Sequence, residues 1–78
     1  MFVLSVERVI KDIISRRDPS GNYVIVALNN DEAIRVLANY SNLLIEESGP
    51  VLIVKCKSRR VAEEIARKLL MRRLLVTE

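Results

Sequence analysis

Histidine and tryptophan are missing from this 78-residue chain, which holds only one cysteine, two glycines, two prolines and three aromatic residues. Without histidine, the side chain that changes charge near neutral pH is gone, and so is the commonest metal-binding ring. With Cys56 alone, no disulfide within the chain and no cysteine-built zinc site can form. There is no Gly-rich phosphate loop, no paired nucleophile and base, and no metal-ligand spacing. The expectation is a chain that is not an enzyme and takes no cofactor, metal or small-molecule substrate. Phe2, Tyr23 and Tyr40 are too few and too scattered for the aromatic stacking platform of an RNA-binding sheet. Glu7, Arg8, Lys11 and Asp12 interrupt the apolar start, so neither a signal peptide nor a membrane span is expected, and the cytoplasm is the default location.

What is present is a chain half apolar by composition, near the lower size limit for a self-sufficient core. One domain is expected, an N-terminal helix (1–17) leading into a core (22–78). Its net charge of +3 is unevenly spread: +1 over residues 1–20, −3 over 21–50 and +5 over 51–78. A basic end of this kind suits nucleic acid or an acidic protein. Many Arg, Glu and branched aliphatic residues, with no His or Trp, resemble hyperthermophile usage.

Apolar Val3, Val6, Val9, Ile10, Ile13 and Ile14 recur at helical spacing, predicting an amphipathic helix over 2–16 with Ser5 as one possible cap. Asp18-Pro19-Ser20-Gly21 is a turn. Tyr23 to Leu28 is an unbroken apolar run without alternation, which predicts a strand covered on both faces. Asn29-Asn30-Asp31-Glu32 opens a second helix with an Asx cap and acids in its first turn, Ala33, Ile34, Leu37 and Ala38 forming its buried side. Leu43 to Glu47 and Val51 to Lys57 flank Ser48-Gly49-Pro50 and form a hairpin. Arg59 to about Arg73 is the last helix, with Val61, Ala62, Ile65, Ala66, Leu69 and Leu70 as its stripe, and 74–77 either add a short strand or dock as a tail. The fold class is α+β: a two-layer sandwich, an N-terminal helix followed by βαββα, mainly antiparallel.

Alternation places Leu52, Val54 and Cys56 on the sheet face toward the helices, with Cys56 buried and inert, and Val51 and Ile53 on the other. The βαββα motif supplies no helix for that second face, completed by Tyr23 and Ile25 or their neighbours. The N-terminal helix or a second copy of the chain must hide it, so Val51, Ile53, Tyr23 and Ile25 are candidates for a homodimer interface.

The sharpest local feature is the entry to the last helix. Ser58 is a suitable N-cap, yet Arg59 and Arg60 follow where the helix dipole disfavours cations. Lys55 and Lys57 precede them on one strand face. Lys55, Lys57, Ser58, Arg59 and Arg60 therefore form a candidate phosphate-backbone contact at a helix N-terminus. The plain alternative is a solvated helix face, with Glu63–Arg67, Glu64–Lys68 and Arg60–Glu64 as i,i+4 pairs. Lys55, Lys57 and Arg59 are not among these pairs. Asp31–Glu32 read as helix capping and Glu46–Glu47 as exposed hairpin residues, not as acid–base pairs.

The segment Val51 to Arg73, an apolar strand passing through Lys57-Ser58-Arg59-Arg60-Val61 into a helix ending Arg72-Arg73, resembles the Alba archaeal nucleic-acid-binding proteins. It departs from them at the acidic Asn29-Asn30-Asp31-Glu32 loop and in lacking a long basic hairpin. The element order from Asn22 to Arg73 is similar to that of the small dimerising subunit of the archaeal, tRNA-modifying KEOPS complex. Both resemblances imply a dimer that handles DNA or RNA directly or within an assembly. Two functions are thus expected of the sequence, a dimeric nucleic-acid-binding module or a non-catalytic assembly subunit. A small metabolite-binding domain of ferredoxin-like kind is a distant third.

Overall fold

Six elements follow one another in residues 6–76, the part of the chain that the computed structural model describes: α1 (Val6–Ile14), β1 (Tyr23–Leu28), α2 (Asp31–Leu37), β2 (Leu44–Ser48), β3 (Val51–Cys56) and α3 (Arg59–Met71). The expected α+β order is present. The expected cap at Ser5 and the apolar position Val3 lie outside the described residues. The sheet is antiparallel in the order β1-β3-β2. β3 is central, pairing Tyr23 with Cys56 through Leu28 with Val51 on one side, and Leu44 with Lys55 through Ser48 with Val51 on the other.

The period of two in β1 and β3 sorts their side chains. Tyr23, Ile25 and Ala27 join Leu52, Val54 and Cys56 on the inner face, all nearly solvent-free. Ala62, Ile65 and Leu69 of α3 pack onto them, with Ile14 of α1 and Ala33, Val36 and Leu37 of α2. Full burial of one such aliphatic side chain is worth about 1.5–3 kcal/mol, so this single cluster is the main source of stability.

All three helices lie on that inner side. α3 rests on β1 and β3, while α1 packs against α3 and β1 and α2 against α3. The N-terminal helix therefore does not fold across the opposite face, and two expectations are corrected. β1 is covered on one face only: Val24 and Val26 are half-buried and Leu28 is exposed. Tyr23 and Ile25 belong to the inner core, so the residues beside Val51 and Ile53 on the bare face are their neighbours Val24 and Val26. A continuous apolar run cannot tell a strand buried twice from one whose second face is left open.

Smaller differences follow from packing. α2 spans only 7 residues and buries Ala33, Val36 and Leu37, leaving Ile34 46% exposed instead of buried. β2 is shifted by one residue from Leu43–Glu47 to Leu44–Ser48. Asn30 caps α2, its side-chain oxygen accepting from the Ala33 N–H at 2.9 Å. The hairpin turns at Gly49, whose φ of +60° suits the first central position of a type II′ turn.

α3 stops at Met71, two residues before its expected end, and the reason is local. Arg73 takes φ +60°, its N–H donates to the Leu70 carbonyl at 3.0 Å, and the Leu74 N–H donates to that of Leu69 at 2.8 Å. This pair of bonds is a Schellman closure with arginine where glycine is usual. The chain then runs along β1: Leu28 N–H donates to Leu74 O and Val76 N–H to Val26 O, both at 2.8 Å. Leu74 to Val76 thus form a short bridged stretch on the edge of β1, and residues 77 and 78 lie outside the described region.

Candidate nucleic-acid interface

The corner between β3 and α3 is fixed from below by Cys56, whose buried thiol donates to the Ser58 carbonyl at 3.4 Å. Ser58 is the N-cap, with φ −89° and ψ 121°, and its hydroxyl accepts from the Val61 N–H at 3.3 Å. Ala62, facing the core, anchors the first turn by donating to Ser58 O at 2.9 Å. The corner is therefore built on a packed strand and a capped helix, while Lys57, Ser58, Arg59 and Arg60 stand exposed on it.

The first turn of α3 has no acid. Among the described residues, Lys57, Arg59 and Arg60 make no ion pair and no side-chain hydrogen bond. The pair expected between Arg60 and Glu64 does not form. Glu64 accepts instead from the Tyr40 hydroxyl at 3.0 Å and lies 3.7 Å from Lys68 Nζ, which also sits over the Tyr40 ring. Partial burial raises the Tyr40 pKa, and the hydrogen bond with Tyr40 raises that of Lys68. Arg67 leaves Glu63 for Glu7 on α1, and Arg72 lies 3.6 Å from Glu32.

Lys55 departs from the expected set. It sits on the bare sheet face, 3.7 Å from Asp18 Oδ2 and with only 29% of its side chain open. Asp18 accepts from the backbone N–H groups of Asn22 and Ser20, and these bonds, led by that of Asn22, hold its carboxyl below the usual range. Lys57, Arg59 and Arg60 thus stand unmatched within four residues of one another in sequence, and Lys55 is tied to the turn that follows α1.

Beside the corner, the α2–β2 loop adds polar groups that the sequence pattern did not single out. Asn39, Tyr40, Ser41 and Asn42 face Lys57, Ser58 and Val61 across an open cleft of about 440 Å3. Asn39 donates to the Arg35 carbonyl at 3.3 Å, while Ser41 and Asn42 have no side-chain partner among the described residues. The one signal in the sequence was the run Asn-Tyr-Ser-Asn, whose last member takes φ +61°. Amide and hydroxyl donors next to Lys57 can hold phosphate oxygens in place. Among the described residues, no group of His, Cys, Asp and Glu is placed to hold a metal ion.

On the other side of the molecule, Val51 and Ile53 are half-buried on the bare face with Val24 and Val26. Leu44 projects from β2 on the same side, 59% exposed. No helix among the described residues is long and apolar enough to cross a membrane. No family model matches the chain, and no curated protein or solved structure is found to be similar to it.

Proposed function

We propose that the chain is a small, non-catalytic nucleic-acid-binding protein that grips phosphates through Lys57, Arg59 and Arg60, with the Ser58 cap and the Ser41–Asn42 loop beside them. The observation that supports this reading is the unmatched charge at the start of α3. Two arginines occupy the positive end of the helix dipole, and neither forms an ion pair with Glu63 or Glu64, the carboxylates in helical reach, Glu64 being held by Tyr40 and Lys68. A polyanion would relieve that repulsion. Such contacts are independent of sequence and weaken steeply with salt.

Anisotropy titrations of labelled duplex DNA and of a structured RNA across a salt series test it. Lys57→Ala/Arg59→Ala should weaken both and lower the slope of log K against log salt by roughly two, about one per phosphate contact. No binding at low salt, or an unchanged slope in the variant, ends the proposal.

A second reading, an assembly subunit whose working surface is the bare sheet face, is favoured by a separate observation. All three helices sit on one side, and Val24, Val26, Val51 and Ile53 on the other have no cover within the described chain. The two readings are compatible, since a dimer through this face would present two basic corners.

A further inference from the structure

β2 is the one described strand with an open edge. β3 is internal, and the edge of β1 is taken by Leu74 to Val76 and, at its start, by the bridge from Arg17 to Tyr23. All five β2 residues are exposed, Ile45 at 46%. Unpaired strand edges are normally short, charged or covered because they recruit further strands. Here a groove runs beside the edge, between α2 and the inner side of β2. It has a volume of about 420 Å3, and its lining includes Ile34, Leu37, Tyr40, Leu43 and Ile45, with Glu47 at one end of β2. A strand laid along β2 would turn every second side chain into that groove, and apolar residues fit it.

Charge decides between occupants. Glu46 has no partner among the described residues, and Glu47 accepts only a 3.3 Å bond from Asn29. Residues 21–50, which include α2 and β2, carry a net charge of −3. A second copy could offer only its own β2 as an open described strand. Antiparallel pairing of two such strands about their centre would set Glu46 of one copy against Glu46 of the other, and like charges facing across a sheet are destabilising. We propose that β2 receives an extended segment of a different protein by strand addition. In that segment, apolar residues alternate with lysine or arginine: the apolar ones enter the groove, and the cations lie on the bare face, where they meet Glu46.

The probes are three synthetic peptides capped at both ends: KVKVKVK, its shuffled form KKKVVVK, and EVEVEVE. The readouts are amide chemical shifts and hydrogen exchange of the full chain. The alternating cationic peptide should shift and protect the amides of residues 44–48, and the other two should not. Glu46→Lys should weaken KVKVKVK by roughly threefold, as one reversed cross-strand charge pair implies, and should gain EVEVEVE. That gain also shows the variant to be folded. Equal binding of the shuffled peptide, shifts confined to other residues, or β2 amides already protected by self-association in the free protein would each overturn the proposal.

Discussion

The Arg67 guanidinium grips the Glu7 carboxylate through two hydrogen bonds of 2.8 and 2.9 Å, joining α3 to α1 across 60 positions of sequence. The forked geometry depresses the Glu7 pKa and raises that of Arg67. Beneath this surface clasp, Ile10 and Ile14 supply the buried contact of α1. Arg67→Lys keeps the charge and loses the fork. The expected outcome is a few-fold loss of amide protection confined to α1, with little movement of the global unfolding midpoint, because exposed pairs contribute little. Hydrogen exchange of the variant beside the parent checks it.

The core gives a larger effect. Ile65 is fully buried at the meeting of α3 with β1 and β3. Ile65→Ala should cost about 2–5 kcal/mol by transfer and cavity formation, a large share of what so small a domain possesses. Urea titration should show the midpoint falling with little change in slope, or the variant already unfolded without denaturant.

Arg73 offers the opposite sign. Its φ of +60° places a Cβ in left-handed backbone, where glycine carries no such penalty. Arg73→Gly should stabilise the chain by about 1 kcal/mol, raising the thermal midpoint by about 4–8 °C in a domain of this size. Calorimetry measures it, and a lower midpoint would mean that the arginine side chain matters more than its backbone.

Much of this architecture was readable because local rules and packing agree. The Ser58 cap, the stripe of α3 and the burial of Leu52, Val54 and Cys56 all follow from spacing. The errors arise where a residue's partner is remote in sequence. Lys55 gained Asp18 and Arg67 gained Glu7, pairings that depend on how α1 and its following turn are placed. The inner and outer sides of β1 were not separable, since Val24 and Ile25 are equally apolar and only the register with β3 divides them. Ile34 followed the helical stripe, yet α2 is short and turns Ala33, Val36 and Leu37 inward instead. The basic corner was visible as residue types, but the loss of the Arg60–Glu64 pair depended on Tyr40 engaging Glu64 from 24 positions away.

Asp18 should mark the acid side of the stability profile. Its folded-state pKa lies below its ordinary value of 3.8, chiefly through the Asn22 backbone N–H, so the folded state favours the ionised form. The contribution is fully present above the unfolded pKa, falls as pH drops through the folded one, and is gone below it. Asp18→Asn should lower stability at pH 7 and flatten the decline on acidification below about pH 4, the unperturbed carboxylate range. Urea midpoints from pH 2 to 7 test this, and parallel curves for parent and variant would refute it.

Ile53 lies at the centre of the bare face, directly opposite Glu46 on β2 and Val26 on β1. A glutamate there would face Glu46 and weaken the free chain as well as any interface, whereas a lysine would form a favourable cross-strand pair. The two substitutions therefore separate folding from association. If the face is covered by a second copy, Ile53→Glu and Ile53→Lys should both reduce the mass seen by light scattering to that of one chain. Only the glutamate variant should lose thermal stability beyond that common effect. Binding of nucleic acid at low salt should survive in both, weakened as two linked corners become one. An unchanged mass in both variants would leave the bare face without a role in self-association, and so would a parent protein that already runs as a single chain.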